Sequence, residues 1–216
     1  ILFTQSGLWG MFSERETWFD KQNNVYVDSL LIDITVDSDG FITVLDSNRG
    51  RVFQYDQQSN HLFTFGGKAK QDGTFRSPVA LDHIGDRLLI LDQEAGSVTV
   101  MKPTQFAKDV RTATLLYQDG LYVQAQPYWE RVLKMDGNYE LANIGMAKAC
   151  TKLERHEEAL DYYKRGNDAT GYSNAAKILR DAKIRDYFGW ILIGVVALIG
   201  GLVAWLLYSE RHRRSE

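Results

Sequence analysis

The sequence is poor in the residues that most often announce chemistry. It holds 1 cysteine, which excludes an intrachain disulfide and leaves the redox compartment open. Cys150 sits in a helical pattern, where it reads as a small apolar filler rather than a nucleophile. The 4 histidines, His61, His83, His156 and His212, are scattered along the chain, and no Cys or His pair has zinc spacing. There is no glycine-rich phosphate loop and no nucleophile elbow, so no cofactor is expected. Lys and Arg (25) are outnumbered by Asp and Glu (28), and no basic stripe of the kind that holds nucleic acid is present. Nucleic-acid binding is therefore not expected. The chain opens on Ile1 with no charged n-region or cleavage site, and reads as a fragment.

What is present is unevenly distributed, although 44% hydrophobic and 25% charged residues describe an ordinary soluble protein. Residues 188–208 carry no charge, with Trp190 and Tyr208 near the two ends. As a helix this run would cover roughly 30 Å, a bilayer's hydrocarbon thickness, and its aromatic ends suit the headgroup layers. It is expected to be a transmembrane helix, 187–208, followed by a short basic tail, 209–216. Ala197 with Gly201 and Gly200 with Ala204 form small-xxx-small pairs able to seat a second helix in the membrane. Arg211, Arg213 and Arg214 follow the run, whereas Lys177, Arg180, Lys183 and Arg185 belong to a folded helix before it. The short flank decides the orientation: tail in the cytoplasm, the rest of the chain outside it.

An internal repeat lies between residues 30 and 103. Residues 32–56 return as 77–101: Val36-Asp37 as Leu81-Asp82, Gly40 as Gly85, Leu45-Asp46 as Leu91-Asp92, Gly50 as Gly96, at an offset of 45 or 46. Alternating β-branched runs broken by Asp/Gly signals predict antiparallel strands near 34–36, 41–45, 51–55 and 62–65 in the first copy. The second copy stops after its third strand at Lys102-Pro103. Asp46 and Asp92 are expected to bond nearby backbone N–H groups and fix turns, a stronger reading than metal ligation. Four strands in about 45 residues is the length of a propeller blade. The Asp-Ser-Asp-Gly and Asp-Ser-Asn-Arg-Gly-Arg-Val stretches of the first copy resemble NHL-type blades, and Gly7-Leu8-Trp9-Gly10 echoes the end of one. The resemblance implies two blades at 30–103, the second without its fourth strand, with residues 1–29 ending an upstream blade and adding an insertion.

From residue 104 the period becomes helical. At a shift of 34 residues Ala113 returns as Ala147, Ala125 as Ala159 and Trp129 as Tyr163, while Glu154 stands where Gly120 stood. This pattern resembles tetratricopeptide repeats, implied over 104–186. The expected fold is thus multidomain, β then α: a partial β-propeller, helical repeats and one transmembrane helix. This order resembles a group of bacterial membrane proteins that continue into a Yip-type membrane domain.

The expected function is a membrane-anchored, non-catalytic scaffold that binds protein, peptide or glycan. Tyr117, Gln118, Lys148, Thr151 and Lys152 are the candidate binding residues on the concave helical face, where the lysines could meet a carboxylate. Two alternatives stay open: a lactonase-like propeller hydrolase or lyase with metal ligands in absent blades, and an accessory or sensing subunit of a sugar ABC transporter.

Overall fold

The computed structural model describes residues 18–20 and 25–213. The fold is mixed, β then α: antiparallel sheets followed by helices. A short hairpin, β1 (Trp18–Asp20) with β2 (Val25–Val27), lies in the stretch expected to be an insertion. A four-stranded meander follows: β3 (Leu31–Val36), β4 (Ile42–Asp46), β5 (Arg51–Tyr55) and β6 (His61–Gly66). A three-stranded meander completes the β region: β7 (Pro78–Ile84), β8 (Arg87–Asp92) and β9 (Ser97–Met101). The sequence repeat is a structural one, for the β3–β4 and β7–β8 ladders each slip register at their first residues, between Leu31 and Asp33 and between Pro78 and Ala80.

Alternation sets the two faces of the first meander. Leu45 and Val52 point one way, into a core with Phe75, Leu81, Leu88 and Ile90 to which Phe65 and Met101 add. Ile42, Val44, Phe53 and Tyr55 cluster separately. The meanders meet along β3 and β7, where the backbone N–H of Leu81 donates to Asp33 Oδ2 at 2.8 Å.

The propeller expectation is corrected by this architecture. The β region holds two small open sheets beside the hairpin, and β3, β6, β7 and β9 are all sheet edges. A ring needs roughly four or more sheets of this kind, each covering its neighbour's edge. The local strand-and-turn pattern of a blade is present, but among the described residues the closure that defines a propeller is not.

Five helices are described: α1 (Gln105–Gln118), α2 (Tyr122–Met135), α3 (Glu140–Lys152), α4 (His156–Arg165) and α5 (Ala169–Arg213). Thr104, after Pro103, caps α1, its Oγ1 accepting from Ala107 N at 3.3 Å. The α1–α2 turn uses Gly120 at φ 75, and the α3–α4 turn puts Glu154 in the same left-handed region at φ 59. Asp109 on α1 is buried and accepts from Arg131 of α2 at 2.6 and 3.0 Å, tying that hairpin together. Hydrogen bonding to Arg131, with a smaller opposing effect of burial, holds the Asp109 carboxyl below its ordinary value. Ala147, Cys150, Ala159, Tyr163 and Ala175 form the core shared by α3, α4 and the start of α5.

The chain forms two compact units, divided after Gly137, between the two helix hairpins. Helices α1 and α2 are assigned with the sheets, and α3 to α5 form the second unit. Among the described residues no single helix is long and apolar enough to cross a membrane; Ala169–Arg185 and Tyr187–Val203, bent by 46°, satisfy length and composition only as a pair. The echo at residues 7–10 and the tail beyond residue 213 lie outside the described residues.

Candidate functional site

The two turn aspartates occupy matching places at the ends of β4 and β8. Asp46 Oδ1 accepts from the backbone N–H of Leu30 at 3.1 Å and of Arg49 at 3.2 Å. Asp92 accepts from Arg76 at 2.6 Å, Ser77 at 3.1 Å and Ala95 at 3.0 Å. For Asp92, burial alone would raise the carboxyl's pKa, and the N–H donors of Ala95, Arg76, Ser77 and Glu94 together outweigh it and lower the pKa. Both are buried within these bonds and act as fasteners.

The opposite end of the first meander is chemically richer. Asp37 Oδ1 accepts from the N–H groups of Asp39 and Phe41, both at 3.0 Å, which closes the β3–β4 turn. Arg111 of α1 reaches that turn, donating to Asp37 Oδ2 at 2.5 Å and to Asp39 Oδ2 at 3.2 Å, with its guanidinium 4.3 Å over the Phe41 ring. Helix α1 is thereby held against the sheet end by paired charges and a stacked ring.

Beneath the turn a polar row crosses the sheet, because Thr35 pairs with Thr43, Thr43 with Gln54 and Gln54 with Phe63 in register. Cross-strand partners share a face, so these side chains lie side by side. Gln54 Nε2 donates to Thr43 Oγ1 at 3.2 Å, and Thr43 Oγ1 lies 3.2 Å from His83 Nε2 on β7. Thr43 is fully buried and Gln54 is 5% exposed. A neutral imidazole donates from one ring nitrogen and accepts at the other, so Thr43 Oγ1, which accepts from Gln54, can meet His83 Nε2 in either role, and the ring also bonds the Arg87 backbone. Burial pushes the His83 pKa down, which favours this neutral form; Asp37 and Asp82 pull it up and Arg111 pushes it further down.

Gln54 and His83 form part of the wall of a cleft of about 390 Å³ between the sheets and α1. Phe63, Phe65, Leu88, Met101, Pro103 and Phe106 supply the apolar lining, and the polar part includes Gln54, His83, Asp86, Lys102 and Arg111. Phe63 sets its ring edge-on to Phe106 at 6.3 Å. A pocket of this size, mostly apolar with a few convergent polar groups, is the usual form of a small-ligand site. Among the described residues no group of three His, Cys, Asp or Glu is arranged to hold a metal ion.

The residues singled out from sequence lie elsewhere. Tyr117 and Gln118 end α1, half-buried, with the Tyr117 ring 5.1 Å from Tyr122 and Gln118 Nε2 buried without a hydrogen-bond partner among the described residues. Lys148 and Thr151 are half-buried on α3, Thr151 Oγ1 donating to Ala147 O at 2.8 Å, and Lys152 is exposed. The five are divided between the two units rather than gathered on one. In the last part of α5, Ala197 and Gly201 line a groove with Gly194, Leu198, Leu202 and Trp205, and Gly200 lies on the same exposed helix. The Ala204 side chain lies outside the described residues.

Sequence reasoning missed Thr43, Gln54, His83 and Arg111. A signal existed for two of them. Thr43 and Gln54 are uncharged polar residues at inward positions of otherwise apolar strands, where a polar side chain must find a partner. Nothing in the sequence marks Arg111 or His83, because their partners are far along the chain.

No family model matches the chain, and no curated protein matches it. The resemblances to NHL blades, to tetratricopeptide repeats and to membrane proteins with a Yip-type domain thus rest on short motifs alone and are set aside, and the open sheets correct the propeller reading.

Proposed function

We propose that this is a membrane-anchored, non-catalytic binding protein that takes its ligand in the cleft beside α1. The observation that carries the reading is the last part of α5. Phe188 (59% exposed), Trp190 (75%), Leu198 (76%) and Trp205 (66%) stand in a run without charge, and no described element covers them. At about 25 cal/mol per Å² an apolar helix surface of this extent is costly in water, whereas a bilayer's hydrocarbon removes that cost. The other end of α5 packs on α4 through Ala175 against the Ala147–Tyr163 core, so insertion of the helix would hold the second unit at the membrane. Arg211 and Arg213 after the run support a cytoplasmic tail with both units on the far side. Small residues at Ala197, Gly200 and Gly201 would admit a second helix there.

Flotation tests the anchor. The full chain is expected to rise with phosphatidylcholine vesicles in a sucrose gradient, and a Val196→Lys/Ile199→Lys double variant to remain at the bottom. A full chain that stays monomeric in the aqueous fraction without detergent would sink the reading.

A further inference from the structure

Resting on that reading, we propose that the cleft recognises a neutral amide carrying a large apolar group, as in a peptide segment that presents an aromatic or long aliphatic side chain, and that Gln54 is the recognising residue. Three observations lead there. The first is an unpartnered polar group aimed at the cavity. Gln54 is 5% exposed and commits one N–H to Thr43, while its Oε1 and second N–H have no partner among the described residues. The Oε1 is not shut off from solvent, so the open edge can exchange water for a ligand that offers the complementary edge.

The second is the fixed direction of that edge. Thr43 holds the Gln54 N–H side, and His83 holds Thr43, so the carboxamide presents one donor and one acceptor side by side. A primary carboxamide, or the N–H and C=O of one residue in an extended peptide, offers the matching donor and acceptor side by side. A carboxylate offers acceptors only.

The third is charge. Arg111 is already paired with Asp37 and Asp39, and the lining carries the acidic Asp86 as well as Lys102. The lining thus holds no net positive charge to draw an anion, while Phe63, Phe65, Phe106 and Met101 favour an apolar body. These aromatics would also accept the apolar face of a sugar ring, so a glycan is the competing outcome of the test.

The experiment is titration of the full chain, embedded in lipid nanodiscs, with three probes: N-acetyl-L-tryptophanamide, N-acetyl-L-tryptophan and methyl β-glucoside. The neutral amide is expected to bind in the range of about 1 mM or tighter, as suits one anchoring group, and the carboxylate at least ~10-fold more weakly. Gln54→Leu and Phe106→Ala should each weaken the amide by ~10-fold or more. Phe106 is half-buried at the start of α1, so its variant keeps the test valid if Gln54→Leu fails to fold. Equal binding of amide and carboxylate, or amide binding indifferent to both substitutions, overturns the proposal. Binding of the glucoside but not the amide, lost in Phe106→Ala, overturns the ligand class and leaves the binding reading standing. Binding of none of the three overturns the ligand class as well, while flotation judges the anchor separately.

Discussion

Asp92 shows how much of this fold hangs on single carboxylates. It is 3% exposed and accepts from three backbone N–H groups, which join the loop before β7 to the turn after β8. Removing it would leave those donors buried or half-buried with no acceptor. Asp92→Ala should therefore cost about 3 kcal/mol in urea unfolding, and Asp92→Asn, which keeps one acceptor oxygen, clearly less. Equal losses for the two variants would mean that packing, not hydrogen bonding, is what Asp92 supplies. The role was legible in sequence because the acceptors and donors of a turn are near neighbours along the chain. Gln54 was not legible as a site, because its meaning depends on Thr43 and His83, which reach it only through strand pairing and the meeting of two sheets.

At the scale of elements, equivalent turns in the two meanders differ. Gly50 and Gly96 stand at the same point of the repeat with φ of 61° and 62°. A Cβ on Gly50 would meet the Gly67 carbonyl oxygen at 2.8 Å, whereas a Cβ on Gly96 would meet nothing within 4 Å. Gly96→Ala should cost only the left-handed strain, about 1 kcal/mol, and Gly50→Ala roughly twice that or more, since backbone must shift. Thermal melts of the two variants check this, and equal shifts would contradict it. The cause is the fourth strand, β6, whose end brings Gly67 beside Gly50; the second meander ends at β9 and has no such neighbour. The helical turns give the converse case. Glu154 adopts φ 59 where its counterpart is Gly120, so Glu154→Gly should stabilise the second unit by up to ~1 kcal/mol. A loss of stability in that variant would show that the Glu154 side chain contributes more than its backbone strain costs.

Across the whole molecule, acid should weaken the fold in two stages. His61 and His83 have pKa values lowered first of all by burial, so the native state disfavours their protonated forms. In the unfolded chain they bind protons near pH 6.5, and stability is therefore undiminished above that pH and declines as pH falls below it. The charges facing His83 from neighbouring elements, Asp37, Asp82 and Arg111, act in opposing directions and moderate this decline. Asp92 and Asp109 are lowered as carboxylates, so their contribution is present above about pH 4 and is lost as pH drops through and below it. Urea midpoints between pH 3 and 8 should show both declines, and His83→Gln should shrink the first. A midpoint that holds steady from pH 7 to 5 would rule out the histidine stage.

The sequence by itself determined the β-then-α order, the strand repeat, the helical hairpins with their turns, and the uncharged run that ends in α5. These follow from periods of two and 3.6 residues and from turn chemistry, all of which act between near neighbours. Only the tertiary structure decided that Gly50 is crowded where Gly96 is not, that Gln54 and His83 line one cleft with Phe106, and that Thr43 bonds both of them. Those outcomes rest on contacts between residues about 10 to 50 positions apart, and the spacing of residue types along a chain does not say which of many such pairs will meet.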